Sequence, residues 1–192
     1  MRLFQEECND FRNDAEERES LRAFFARKKI PFTEEALIGC LHPERTKNEI
    51  YLAILALRDL GTERCLEALR RAARFKYHDC QSTAALTLAQ IGGKGETRFL
   101  GDLLLDRQYR AKDYALWALL ADSNEEAVPQ VLAFLEATLK HLPEYNGLVR
   151  QSVAYLRRHP GPEVDAVLEK VRARFQRLDP ETQTYLRAVG LA

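Results

Sequence analysis

The sequence predicts an all-α chain, an α-solenoid of about four tandem helix pairs with irregular helical caps at both ends. Three observations predict it. Apolar residues fall at helical spacing over most of the length. The pattern repeats about every 31 to 36 residues after position 48, a period that fits two short helices and two turns. Each copy of the first helix closes on a glycine or a small polar residue, which stops a helix.

The first helices carry the clearest register. Ala53, Leu57, Leu60 and Gly61 recur 31 residues later as Ala84, Leu88, Ile91 and Gly92, and again as Ala115, Leu119, Asp122 and Ser123. The glycines suggest left-handed caps, and the third copy departs most at its turn. The second helices align separately: Leu66 and Leu69 match Leu100 and Leu103, then Leu132 and Leu135, then Leu168 and Val171. A fourth first helix is expected over 149–158, with Val153, Ala154 and Leu156 apolar and His159-Pro160-Gly161-Pro162 as its stop. Alanines at 53, 56, 84, 85, 115 and 118 allow close approach between neighbouring first helices.

The ends read as caps. Asp14 with Glu17 forms a capping-box pattern before a helix carrying Leu21, Phe24 and Phe25, and Thr33 starts a short helix through Leu37, Ile38 and Leu41. At the other end Asp179-Pro180-Glu181 is a helix start and Gly190 a stop. One continuous domain follows, with an N-terminal helical cap over 1–47, repeats over 48–178 and a capping helix over 179–192.

The run Ala84-Ala85-Leu86, with Leu88, Ile91 and Gly92, then Phe99-Leu100 and Leu103-Leu104, resembles the HEAT-like repeat family, particularly the bacterial short-repeat branch also found in phycobilin lyases. The resemblance spans roughly 48–177. It implies stacked helix pairs sharing one long core and says little about function.

Composition narrows the function. The chain has 192 residues, 46% hydrophobic and 30% charged, with 29 Lys plus Arg against 29 Asp plus Glu. No bulk positive field gathers nucleic acid or an anionic membrane. The first residues lack the uninterrupted apolar run of a signal peptide and no later stretch approaches a membrane span, so a cytoplasmic protein is expected. Cys8, Cys40, Cys65 and Cys80 have no CxxC pairing and read as reduced core thiols.

Motifs for chemistry are weak. Gly92-Gly93-Lys94-Gly95 offers backbone N–H groups and a lysine, but it stands between two helices without the GK[ST] ending of a phosphate loop. His78 and Cys80, with His42, Cys40 or Cys65, match no zinc spacing. Glu125 and Glu126 read as a helix start rather than an acid and base pair. Trp117, with Asp113 and Arg110, invites comparison with HEAT-like DNA glycosylases. Yet residues 113–138 hold no Lys or Arg and five acids, Asp113, Asp122, Glu125, Glu126 and Glu136, which repels a phosphate backbone. Trp117 lies between Ala115 and Leu119 and reads as a core or groove aromatic. No cofactor or metal is expected.

Recognition is expected on the outward face of the second helices. Their charge alternates: Arg70, Arg71, Arg74 and Lys76 first, Asp102, Asp106, Glu126 and Glu136 in the middle, then Lys170, Arg172, Arg174 and Arg177. Partner-binding candidates are Arg70, Arg71, Arg74, Asp102, Asp106, Trp117, Glu136 and Arg172. Glu67 alone does not balance the first cluster. An acidic partner would, as would an acidic N-terminal segment with Glu6, Glu7, Glu16, Glu17 and Glu19. The leading expectation is a non-catalytic protein–protein interaction module, an adaptor or a toxin-neutralising immunity protein. The alternative is a HEAT-type enzyme or lyase that holds a bilin or an alkylated base in a groove lined by Trp117, Tyr77, Tyr109 and Tyr114. Partner identity and oligomeric state stay open.

Overall fold

A computed structural model of the chain describes residues 13–142 and 146–191. Glu6, Glu7 and Cys8 lie outside the described residues. Among the described residues the structure is helical without strands. In chain order the α-helices are α1 (Ala15–Arg27), α2 (Glu34–Cys40), α3 (Lys47–Leu60), α4 (Leu66–Ala72), α5 (His78–Gly92), α6 (Thr97–Leu105), α7 (Lys112–Ala121), α8 (Val128–Thr138), α9 (Asn146–Leu156), α10 (Pro162–Arg172) and α11 (Pro180–Ala188). Single turns of 3-10 helix lead into α4, α6 and α8.

The helices pack in sequence. α3 lies against α5, α5 against α7, α7 against α9 and α9 against α11; α6 lies against α8 and α8 against α10. Each of α4, α6 and α8 also packs on the helix that follows it. This arises from the register of the apolar residues. Ala53, Ala84 and Ala115, and with them Leu57, Leu88 and Leu119, are wholly buried. Removing one such leucine from water is worth about 1.5–3 kcal/mol. The small alanines let backbones approach and the leucines fill what is left.

The end caps form as the side-chain chemistry dictates. Asp14 accepts from the Glu17 amide while Glu17 reaches back to the Asp14 amide, satisfying two N-terminal donors at once. Thr33 accepts from the Ala36 amide and Asp179 from the Thr182 amide. Gly190 takes a left-handed φ of 72° after α11. Thr46 and Glu49 make a second capping box at the start of α3, a T-x-x-E signature that sequence reasoning passed over. Hydrogen bonds from Thr46 are the main cause of the lowered Glu49 carboxyl pKa.

The repeated glycines act differently from the left-handed caps the sequence suggests. Gly61 has φ −73° and Gly92 has φ −92°, values open to any residue. What excludes a side chain at Gly61 is space: a Cβ there would sit 2.5 Å from the Leu57 carbonyl oxygen, 2.7 Å from Ile91 Cδ1 and 2.9 Å from Cys65 Sγ. In the turn after α5 it is Gly93, with φ 51°, that needs glycine for its backbone. Gly61→Ala is therefore expected to destabilise by about 1–3 kcal/mol through overpacking. Chemical denaturation checks it, and a neutral result would show that the α3–α4 turn yields easily.

Candidate functional site

The predicted binding residues on α4, α6, α8 and α10 are largely engaged with each other. Arg70 holds Glu96 through two bonds, Nε to Oε2 at 2.9 Å and Nη2 to Oε1 at 2.5 Å. Glu96 is 1% exposed, and Gly92 makes room for it, since a Cβ there would fall 2.5 Å from Glu96 Cγ. Arg71 lies 3.7 Å from Glu67. Arg74 lies 3.8 Å from Asp106 and places its guanidinium 4.7 Å from the centre of the Phe99 ring. Lys76 stands over Tyr77. The balancing carboxylates thus come chiefly from Glu96 and Asp106, beside or at the ends of α6. Of the N-terminal acids, Glu17 caps its own helix and Glu19 pairs with Arg22.

The same bridging continues along the row. Asp102 on α6 accepts from Gln130 on α8 at 2.9 Å. Glu136 on α8 pairs with Lys170 on α10, and Arg172 pairs with Glu169 at 2.5 Å. Exposed pairs of this kind add about 0–1 kcal/mol each. The Arg70–Glu96 pair differs because its carboxylate is buried.

Trp117 is 37% exposed, so of its two expected places, core or groove, the core is excluded. Around it Ala115, Leu116, Ala118 and Leu119 are buried, so position 117 falls on the outer seam of α7. Its ring centre lies 5.5 Å from that of Tyr114, which lies 6.1 Å from that of His78 at the start of α5. Tyr109 does not join them. It is 1% exposed, and burial pushes its hydroxyl pKa well above the usual value.

A cavity of about 410 Å³ lies elsewhere. It opens between the turn joining α6 to α7 and the C-terminal end of α8, with Arg107, Tyr109, Arg110, Lys112, Phe134 and His141 in its wall. Neither Trp117 nor Tyr114 lines it. Gln81 holds this turn in place: its side-chain amide donates to the Phe75 and Gln108 carbonyls at 2.8 and 3.1 Å and accepts from the Arg110 amide at 2.8 Å. Lys112 stands 31 residues on from Gln81, in the register that relates Ala84 to Ala115. It acts likewise, donating to the Leu103 and Asp106 carbonyls at 2.7 and 2.5 Å. Burial lowers the Lys112 ammonium to about 8, against the attraction of Asp106, so it is mainly cationic at neutral pH.

Sequence reasoning missed this cavity. The available signal was Arg107, Arg110 and Lys112, three cations within six residues of one short link. Among the described residues no group of three His, Cys, Asp or Glu side chains is placed to hold a metal ion. Cys40, Cys65 and Cys80 are buried free thiols, and burial raises Cys65 and Cys80 to about 11, far from a reactive thiolate. No helix of the described residues is long and apolar enough to cross a membrane. No family model matches the chain, nor does any curated protein or solved structure.

Proposed function

We propose that the chain is a HEAT-like α-solenoid working as a non-catalytic protein-binding module, with its partner docked on the outward face of α4, α6, α8 and α10. The sequential packing of odd-numbered helices and of α6, α8 and α10 supports the repeat reading, since each repeat of a solenoid touches its neighbours. The observation that carries the binding reading is an uncharged strip on that face. Leu105 on α6 is 51% exposed, and Pro129, Ala133 and Ala137, four residues apart on α8, are also exposed.

Around the strip stand charges already bridged to one another, Arg74 with Asp106 and Glu136 with Lys170. A protein surface suits an apolar centre inside a polar rim. Nucleic acid suits it less, because residues 113–138 carry no cation and phosphate contacts need them.

Affinity capture from the source cells tests the proposal with the native chain and with Leu105→Asp, which changes an exposed position and leaves the core alone. A protein retained by the native chain and depleted about tenfold by the variant is expected, a loss equivalent to about 1.4 kcal/mol. Equal recovery by both would remove the strip from the interface.

A further inference from the structure

We propose that the cavity between the α6–α7 turn and the end of α8 binds a small organic anion, an apolar body bearing a phosphate or carboxylate head. Of the residues in the proposed docking strip, the cavity wall shares Ala137 alone. Four observations converge on it.

The charged residues in the wall are all cationic: Arg107, Arg110 and Lys112 line the cavity and no carboxylate does. The Arg107 and Arg110 side chains are exposed and make no ion pair among the described residues, while Arg70, Arg71, Arg74 and Arg172 are tied to acids. A guanidinium fork matches the paired oxygens of a carboxylate or phosphate.

The apolar part of the ligand finds the Phe134 ring and the Ala137 methyl. A volume of about 410 Å³ lies within the ~300–1,000 Å³ of small-molecule sites.

The site is built in advance. Gln81 fixes the Gln108 carbonyl and the Arg110 amide, Asp106 Oδ1 accepts from the Gln108 amide at 2.8 Å, and Lys112 ties Asp106 to Leu103. The backbone of the turn therefore loses little freedom on binding, and the main ordering cost is about 0.5–1.5 kcal/mol for each arginine side chain.

Calorimetric titration of the full chain with phenyl phosphate, benzoate, inorganic phosphate and the cation benzamidine tests it. Phenyl phosphate or benzoate should bind more tightly than inorganic phosphate, benzamidine should not bind, and affinity should fall as salt rises. The ratio of phenyl phosphate to benzoate affinity identifies the head group. Arg110→Gln and Arg107→Gln, both at exposed positions, should each weaken the better anion about tenfold. The proposal is overturned if neither aromatic anion binds at millimolar concentration, if benzamidine binds as well, or if both arginine variants bind like the native chain.

Discussion

Arg70→Ala is expected to lower the unfolding free energy by about 3–5 kcal/mol, the range for breaking a buried ion pair from one side. Arg70 is a partly exposed arginine on a short helix, and sequence patterning assigns such residues a solvated role. Its partner decides the magnitude. The Glu96 side chain is 2% exposed and, among the described side chains, takes its charge-assisted bonds from Arg70. Without the guanidinium a carboxylate stays buried between the α5–α6 turn and α4. Denaturant titration should show a lower midpoint with an unchanged slope. The paired replacement Arg70→Met with Glu96→Leu should recover most of the loss, since an apolar pair of similar volume avoids the desolvation penalty. A single-variant loss below about 1 kcal/mol would mean that water reaches Glu96 and the pair is an ordinary surface bridge.

Gln81→Leu is expected to destabilise by about 3 kcal/mol, although leucine fits a helix core better than glutamine. The side chain is 1% exposed and serves three backbone groups, the Phe75 and Gln108 carbonyls and the Arg110 amide. Leucine leaves all three without their partner, at about 1–3 kcal/mol for each group that water does not reach. Hydrogen exchange gives the more specific readout. The Arg110 amide should exchange much faster in the variant, while amides in α9 and α11 keep protection set by their own helices. Unchanged exchange at Arg110 would show that the turn holds its shape without Gln81. The variant should also lose phenyl phosphate affinity, because Arg107 and Arg110 would stand on a loosened turn.

The helices were legible because their apolar residues obey a period that packing enforces. Ala84, Leu88, Ala115 and Leu119 are buried where the register places them, and Asp14, Thr33 and Asp179 cap the helices they precede. The glycines were legible as turns but not as to cause. A left-handed backbone and a crowded one both select glycine, and only the neighbour that would strike a Cβ distinguishes them, as Ile91 and Cys65 do at Gly61. The carboxylates that face the arginine cluster were hidden for a similar reason. Glu96 lies 26 residues beyond Arg70, outside the three- and four-residue spacings at which charges on one helix compensate.

The apolar residues on both sides of Trp117 leave core and groove alike open to it. A step of one residue turns a helix by about 100°, enough to carry an aromatic from the core to its seam. Tyr109 moved the other way, from an expected groove to the interior, since a turn residue has no period from which to read its direction. The uncharged strip on α8 and the cationic turn at 107–112 were visible as letters. Their shared placement around one face and one cavity depends on which helices lie side by side.

The bridges between neighbouring helices make the chain regular in one respect and aperiodic in another. Alanine and leucine at equivalent positions would tolerate the helix pairs in almost any order. The charges would not: excising α5 and α6 would take Glu96 and Asp106 from Arg70 and Arg74, and removing α10 would take Lys170 from Glu136. Each junction carries its own matched polarity, so the buried residues let neighbouring helices pack and the charged rim fixes which neighbour follows. On the proposed repeat reading, duplicating or shuffling a helix pair would require rewriting the junction on either side.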